Sequence, residues 1–474
     1  LNEQTQLTKR LSTFFIMNFS SVRNIHFVGI GGIGMSGIAE ILLVQGFTIS
    51  GSDLHRSETT EHLEQLGAKI HYGHDARHIA GADVVVYSSA VRPSENVETL
   101  EAQRTNIPII RRAEMLMELS RLQFCCAIAG THGKTTTTSM CGLTLMAGGI
   151  DPTVIVGGRL KGLGGSNARL GKGQWIVLEA DEYDRSFLSL LPTIAVLTNV
   201  EADHLDIYTD LDDIHGAFLE FANKVPFYGS VHVCLDDAGV RQLLPGIKRK
   251  VVTFGMSRQC DVRAVDVTWN ERHTTFRVEV HGAPMGTIAL QVPGDHNVRN
   301  ALAAISVGLQ LGIPFENIAT ALAEFGGVNR RFEIKGPLDG GALWVDDYAH
   351  HPTEIRATLA AARRGWNRRI VAVFQPHTYT RTRDFADEFA TSFDDADVLV
   401  ITDVYPAREQ PIDGVDGAML ADKIRQSGHR RVMYVQSKTE LPAALANIVH
   451  SDDLVITMGA GDVYRHVANA QAER

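Results

Sequence analysis

The run Gly130-Thr131-His132-Gly133-Lys134-Thr135-Thr136 follows an apolar stretch and leads into a helical pattern. A glycine turn there presents backbone N–H groups to a phosphate. Lys134 adds a point charge for β- and γ-oxygens, and Thr135 a hydroxyl for a divalent metal. The common phosphate loop reads G-x-x-x-x-G-K-[ST], yet counting back from Gly133-Lys134-Thr135 puts Ile128 at the first glycine. The shorter turn leaves the γ-phosphate less enclosed on one side, where a second substrate can reach it.

Carboxylates and a histidine follow two further apolar stretches. "LEADEYDRSF" carries Glu179, Asp181, Glu182 and Asp184, and "LTNVEADHLDIY" carries Asn199, Glu201, Asp203 and His204. Taken singly, each reads as a solvated strand-to-helix turn. Three adjacent strands ending in Lys-Thr, Glu and His instead make a phosphoryl-transfer site with two metals. Thr135, Glu179 and His204 suffice as ligands, because Mg²⁺ keeps water and phosphate in its shell.

A second glycine turn lies near the start. Gly29-x-Gly31-x-x-Gly34 follows an apolar stretch and opens a helix, and Asp53 ends the next strand. That is a dinucleotide fingerprint: N–H groups face a diphosphate and the acid is placed for a hydroxyl. A nicotinamide dehydrogenase is the first hypothesis it raises, and glycines serving only close strand–helix packing are the bland one. Nothing downstream resembles a hydride-transfer site, so the turn reads as a diphosphate site of another kind, with Ser88-Ser89-Ala90-Val91 at the same edge.

These turns need sheets to hold them. Apolar strands running into glycine turns and helices recur in three α/β patterns. The first runs from "NIHFVGIGGIGMSGIAEILLVQG" to "NIPIIRRAEMLMELSR". The second holds "FCCAIAG", "WIVLEAD", "TIAVLTNV", "SVHVCL" and the β-rich insert "DVRAVDVTWNERHTTFRVEVHG", then the helix "GDHNVRNALAAISVGLQLG". The third runs from "ALWVDDYAHHPTEIRATLAAARR" to "DLVITMGAGDVYRHVANA". The expected domains are 23–122, 123–332 and 333–474, after an extension over 1–22 expected to be disordered. Leu1 at the start and Met17 downstream read as an upstream extension or an alternative start.

The 474 residues are 44% hydrophobic and 21% charged, an ordinary globular composition. A net charge of -10 without a basic run argues against nucleic acid as a partner. No apolar run approaches the ~18 residues of a membrane helix. Five cysteines without a C-x-x-C fit a reducing, cytoplasmic setting.

The pattern resembles the Mur ligases of peptidoglycan synthesis. The resemblance spans Asn24 to the C-terminus and rests on "GIGGIGMSGIAE", "GTHGKTTTT", "EADEYDRSFL", "TNVEADHLD", "DHNVRNALAA", "RRFE", "VDDYAHHPTEI", "QPHTYTRTRD", "YPAREQPIDGV" and "GAGDV". It implies a Rossmann-like N-terminal domain for a UDP-sugar, a central P-loop-type ATPase domain with a mostly parallel sheet, and a C-terminal Rossmann-like domain that closes over nucleotide. The implied partners are UDP-N-acetylmuramate, L-alanine and ATP, with Mg²⁺ or Mn²⁺, in a monomer or homodimer. The implied reaction joins L-alanine to the sugar's lactyl carboxylate through an acyl phosphate, releasing ADP and phosphate. The open side of the short loop would admit that carboxylate.

Carried over by position, Gly31, Gly32, Ile33, Gly34, Met35, Asp53, Ser88, Ser89 and Asn167 serve the UDP-sugar. Gly130, Thr131, His132, Gly133, Lys134, Thr135, Thr136, Asn297, Asn300, Arg331 and Asp347 serve ATP. Tyr348, His350, Arg381 and Arg383 form the amino-acid pocket, where a guanidinium fork suits a carboxylate. Lys134, Glu179, His204 and His350 are the catalytic set, with His204 or His350 placed to take the ammonium proton. Relatives often have Arg where this chain has Thr378, which removes one contact from the pocket. Other family members hold a second metal with a carbamylated lysine, and no lysine near these carboxylates would do so.

Other readings stand beside this one. His350-His351 is also a possible metal pair, though adjacent residues point apart, and Arg381 and Arg383 are also read as solvated helix-start charges. A recycling ligase that adds a tripeptide to the same sugar acid shares the G-T-H-G-K-T loop, whereas "QPHTYTRTRD" and "YPAREQPIDGV" favour the alanine reaction. A nucleotide-binding regulator would bind ATP without acceptor-dependent phosphate release.

Overall fold

The computed structural model describes residues 22–88, 90–121, 123–157, 167–203, 207–338 and 340–472. The expected extension up to residue 21, Ser89 and His204 lie outside the described residues.

The first sheet contains β1 (Asn24–Val28), β2 (Thr48–Asp53), β3 (Lys69–Tyr72), β4 (Val84–Tyr87) and β5 (Ile109–Arg111), in the order β3-β2-β1-β4-β5. Every neighbouring pair is parallel. Parallel strands are covered on both faces and therefore read as apolar runs; Ile25, Phe27 and Val28 of β1 are at most 2% exposed. Register brings three chain exits to one edge, since Val28 stands opposite Ser52 on one side and Tyr87 on the other. Gly29, Asp53 and Ser88 follow from that alignment, at the point where the strand order reverses.

The second sheet contains β6 (Phe124–Ala129), β7 (Thr153–Ile155), β8 (Ala168–Arg169), β9 (Trp175–Glu179), β10 (Ile194–Leu197), β11 (Ser230–Cys234), β12 (Val251–Gly255), β13 (Val262–Asn270), β14 (His273–Val280) and β15 (Ala283–Leu290). Its order is β15-β14-β13-β12-β11-β10-β6-β9-β7-β8. β6 is central and parallel to both neighbours, with Ile128 opposite Glu179 of β9 and Ala129 opposite Leu197 of β10. The strands that the sequence assigns to the phosphate loop and the two acidic segments are therefore adjacent.

The third sheet contains β16 (Glu333–Pro337), β17 (Leu343–Asp347), β18 (Ile370–Phe374), β19 (Val398–Thr402), β20 (Val432–Val435) and β21 (Leu454–Met458), in the order β16-β17-β21-β18-β19-β20. β16 is antiparallel to β17 and the remaining pairs are parallel. Apolar clusters cover both faces of this sheet.

The chain folds into two compact units. Among the described residues, one comprises those up to Ala264 with Val278–Gly286 and Arg299–Leu322; the other comprises Val265–Arg277, Thr287–Val298 and those from Ala323 onward. Among the described residues no helix is long and apolar enough to cross a membrane.

Candidate functional site

The turn Gly130–Gly133 springs from the buried end of β6 and closes on the helix Lys134–Ala147. Gly133 caps that helix at φ +82°, a left-handed conformation that glycine adopts without penalty. A Cβ there would also lie 2.7 Å from Asn300 Oδ1. Asn300, on the helix Asp295–Gln310, accepts a hydrogen bond from Thr137 Oγ1 at 3.1 Å. The opposite wall is the chain after β10: Asn199 Oδ1 accepts from His132 N at 2.7 Å, and Thr198 Oγ1 donates to His132 O at 2.7 Å. Thr131 Oγ1 accepts from Glu201 N at 3.0 Å, and Thr136 is buried within the helix.

Thr135 Oγ1 donates to Glu179 Oε1 at 2.8 Å, and Glu179 Oε2 accepts from Gly157 N. Burial pushes the Glu179 carboxyl up, against the charge of Lys134 and the bonds from Gly157 and Thr135. A part-buried carboxylate beside a hydroxyl suits a hard divalent cation, which takes oxygen ligands and stabilises the ionised acid. Lys134 Nζ donates to Gly130 O at 2.7 Å, to Thr131 O at 3.2 Å, and to both oxygens of Glu182 at 2.8 and 2.7 Å. Burial works against the ammonium charge, but Glu182, Asp181 and Glu179 outweigh it and raise the Lys134 pKa.

At the edge of the first sheet, Gly31 N donates to Asp53 Oδ2 at 2.8 Å, while Gly29 N and Ile30 N donate to Ser52 O. Gly32 caps the helix Ile33–Val44, and Ser88 Oγ accepts from Ala90 N. The Met35 side chain packs inward. It is 1% exposed in the core, because the helix turns that position onto the sheet. Asn167 is buried against Gly37 of the same helix.

Between this edge and Glu179 lies a cavity of about 80 Å³, lined among others by Gly34, Arg112, Ile155, Glu179, Asp181 and Phe187. Arg112 lies over the helix start, since a Cβ on Gly34 would sit 2.1 Å from its Nη1, and its guanidinium is 3.8 Å from Asp181. One chamber thus runs from Gly34, at the start of the helix Ile33–Val44, to Glu179.

In the second unit, Asp347 ends β17 and its carboxylate accepts from Phe332 N, Ala349 N and Thr358 Oγ1. Burial pushes it up to about 6. Arg331 pairs with Glu354 at 3.1 Å and lies over the Tyr348 ring. His350 Nδ1 meets two acceptors, Tyr348 O at 2.9 Å and Glu354 Oε2 at 3.2 Å, so its proton belongs on Nδ1 and Nε2 is the basic nitrogen. Burial lowers the His350 pKa to about 3, which keeps the ring neutral. His351 caps the helix Pro352–Gly365. Thr378 caps the helix Tyr379–Asp384 at φ +63° and accepts from Arg381 N. Arg381 is half-buried, whereas Arg383 is exposed and paired with its neighbour Asp384 at 2.7 Å. Asn297 Nδ2 donates to Pro293 O at 2.7 Å.

Two side chains in these places carry no role in the sequence reading. Glu182 is named there only among the carboxylates, and Arg112 only inside "NIPIIRRAEMLMELSR". The motif that holds Glu182 is a signal. The direction of its side chain is not, because it leaves the strand in a short 3₁₀ turn, Tyr183–Ser189.

Three family models match: "Mur ligase family, catalytic domain" over residues 24–124, "Mur ligase middle domain" over 128–308, and "Mur ligase, glutamate ligase domain" over 330–461. The UDP-N-acetylmuramate--L-alanine ligase of Salinibacter ruber is 56% identical over 445 residues, covering 94% of this chain and 93% of that protein. The enzyme of the same name from Geotalea daltonii is 52% identical, covering 94% and 96%. Among solved structures, the UDP-N-acetylmuramate-alanine ligase of Thermotoga maritima superposes with a TM-score of 0.80 at 32% identity, covering 95% and 98%. A murein peptide ligase from Psychrobacter arcticus gives 0.69 at 25% identity, covering 95% and 99%.

Proposed function

Because this chain belongs to the Mur ligase family, we propose that it is an ATP-dependent ligase joining L-alanine to the lactyl carboxylate of UDP-N-acetylmuramate. The observation that carries this reading is the cavity that runs from Gly34, at the start of the helix Ile33–Val44, to Glu179, the partner of Thr135. A diphosphate at one end and a γ-phosphate at the other leave room between them for a sugar acid.

In this reading the N–H groups of Gly31 to Gly34 receive the diphosphate, Asp53 and Ser88 flank it, and Arg112 meets an anionic group of the sugar acid in the chamber. The helix N-terminus beside Gly133 and the ammonium of Lys134 hold the β- and γ-phosphates. Asn297, Asn300, Arg331 and Asp347 serve the nucleotide. Thr135 and Glu179 would hold Mg²⁺, which when bound neutralises charge on the transferring phosphoryl group. His204 is the further ligand that the family resemblance implies.

A carboxylate does not react with an amine at neutral pH, because its charge and its oxide leaving group oppose attack. Phosphoryl transfer from ATP turns it into an acyl phosphate, which the neutral amine of alanine attacks with release of phosphate. The loop amides and Lys134 stabilise the phosphoryl charge. Arg381 receives the alanine carboxylate, and neutral His350 presents Nε2 as a hydrogen-bond acceptor that orients the attacking amine. A cytoplasmic setting accords with five buried free thiols.

The test is phosphate release with ATP, UDP-N-acetylmuramate and each amino acid in turn. Release that depends on L-alanine is expected. Dependence on a tripeptide would move the reading to the recycling reaction, and no acceptor-dependent release would refute it.

A further inference from the structure

An ammonium group has three N–H donors. In this structure those of Lys134 go to two carbonyls of its own loop and to both oxygens of Glu182. The same donors are the ones a phosphate needs. A carboxylate chelating the ammonium with two oxygens presents it with the charge and geometry that two phosphate oxygens would offer.

Both partners are held. Lys134 is the first residue of its helix, behind the left-handed Gly133. The Glu182 backbone carbonyl accepts Tyr208 Oη at 2.7 Å and Arg185 N at 3.0 Å, and Tyr208 is 2% exposed with Arg185 over its ring. The side chains of the pair are 13% and 4% exposed, so water screens the interaction little.

We propose that Glu182 is the positioning residue of Lys134: its carboxylate keeps the ammonium inside the glycine turn and competes with nucleotide phosphate for it, and so sets nucleotide affinity. The inference rests on the nucleotide site of the proposed function. Phosphate binding at Lys134 must loosen the pair, and Glu182 then faces an incoming anion with like charge. A residue that only supports the fold, or that holds a metal, would instead assist nucleotide binding.

The experiment is calorimetric titration of the full chain with ADP and with inorganic pyrophosphate, in EDTA and again with Mg²⁺. A pair closed nine-tenths of the time lowers apparent affinity about tenfold, so Glu182→Gln should tighten ADP about tenfold in both buffers. Glu182→Asp, with one methylene less, should tighten it by less, and covers the case in which Glu182→Gln does not fold. In a Lys134→Met background, where only the like-charge repulsion remains, Glu182→Gln should tighten ADP by clearly less than it does with Lys134 present. Unchanged or weaker ADP binding in a folded Glu182 variant overturns the proposal. If the unaltered chain binds neither ADP nor pyrophosphate, the nucleotide site itself fails, which is a separate result.

Discussion

Gly133→Ala strikes the phosphate turn in two ways that can be weighed. At φ +82° a residue with a Cβ pays about 1–2 kcal/mol for the left-handed conformation. The new Cβ would also lie 2.7 Å from Asn300 Oδ1, the acceptor of the buried Thr137 hydroxyl. Moving Asn300 away forfeits that bond, about 1 kcal/mol. The expected loss is therefore about 2–3 kcal/mol, local to the helix Lys134–Ala147. Hydrogen exchange of that helix's amides is the suitable assay, because a chain with several sheets need not unfold in one step. Asn300→Ala removes the obstacle together with the acceptor. The double variant should therefore lose less than the sum of the two single losses, the shortfall being the cost of displacing Asn300. A Gly133→Ala protein within about 0.5 kcal/mol of the parent, a surface-substitution effect, and binding ADP normally would refute this account of the turn.

Arg112→Ala should raise the UDP-N-acetylmuramate requirement while leaving the KM for ATP unchanged, as steady-state kinetics would show; a rise in both counts against the chamber. Arg381→Ala should raise the alanine requirement more than tenfold, since losing a charged fork costs about 2–5 kcal/mol. It should still form an acyl phosphate that hydroxylamine traps, and loss of the trapped product would move the amino-acid site elsewhere. Glu98 is fully buried; burial pushes its pKa up, but the nearby His26 and bonds from Ser52 and His78 prevail and hold it at about 2. Its folded pKa is depressed, so the stability it contributes is present above the ordinary value of 4.5 and lost as pH falls from there toward about 2. Acid unfolding of Glu98→Gln should therefore show a shallower loss over that window, and an unchanged pH slope would contradict the assignment.

The glycine turn ahead of the helix Lys134–Ala147, the N-terminal glycine edge and the α/β class were legible in the sequence because each is local. A strand buried on both faces must be an apolar run, a left-handed corner calls for glycine, and a helix N-terminus follows directly. The strands β3, β7, β8, β12, β15 and β16 were not anticipated. They are very short or partly exposed, as in "KIHY" and "APMGTIAL", and show no continuous apolar run. Only the tertiary structure decided which side chains meet. Lys134 and Glu182 are 48 residues apart, and they touch because β6 and β9 pair in parallel with Ile128 opposite Glu179. Arg112 reaches Gly34 and Asp181 because the helix Arg112–Ser120 packs at the start of the helix Ile33–Val44. The residue types thus determined what chemistry was available. Sheet register, a long-range consequence of burying those apolar strands together, decided which carboxylate holds the lysine and which guanidinium lines the chamber.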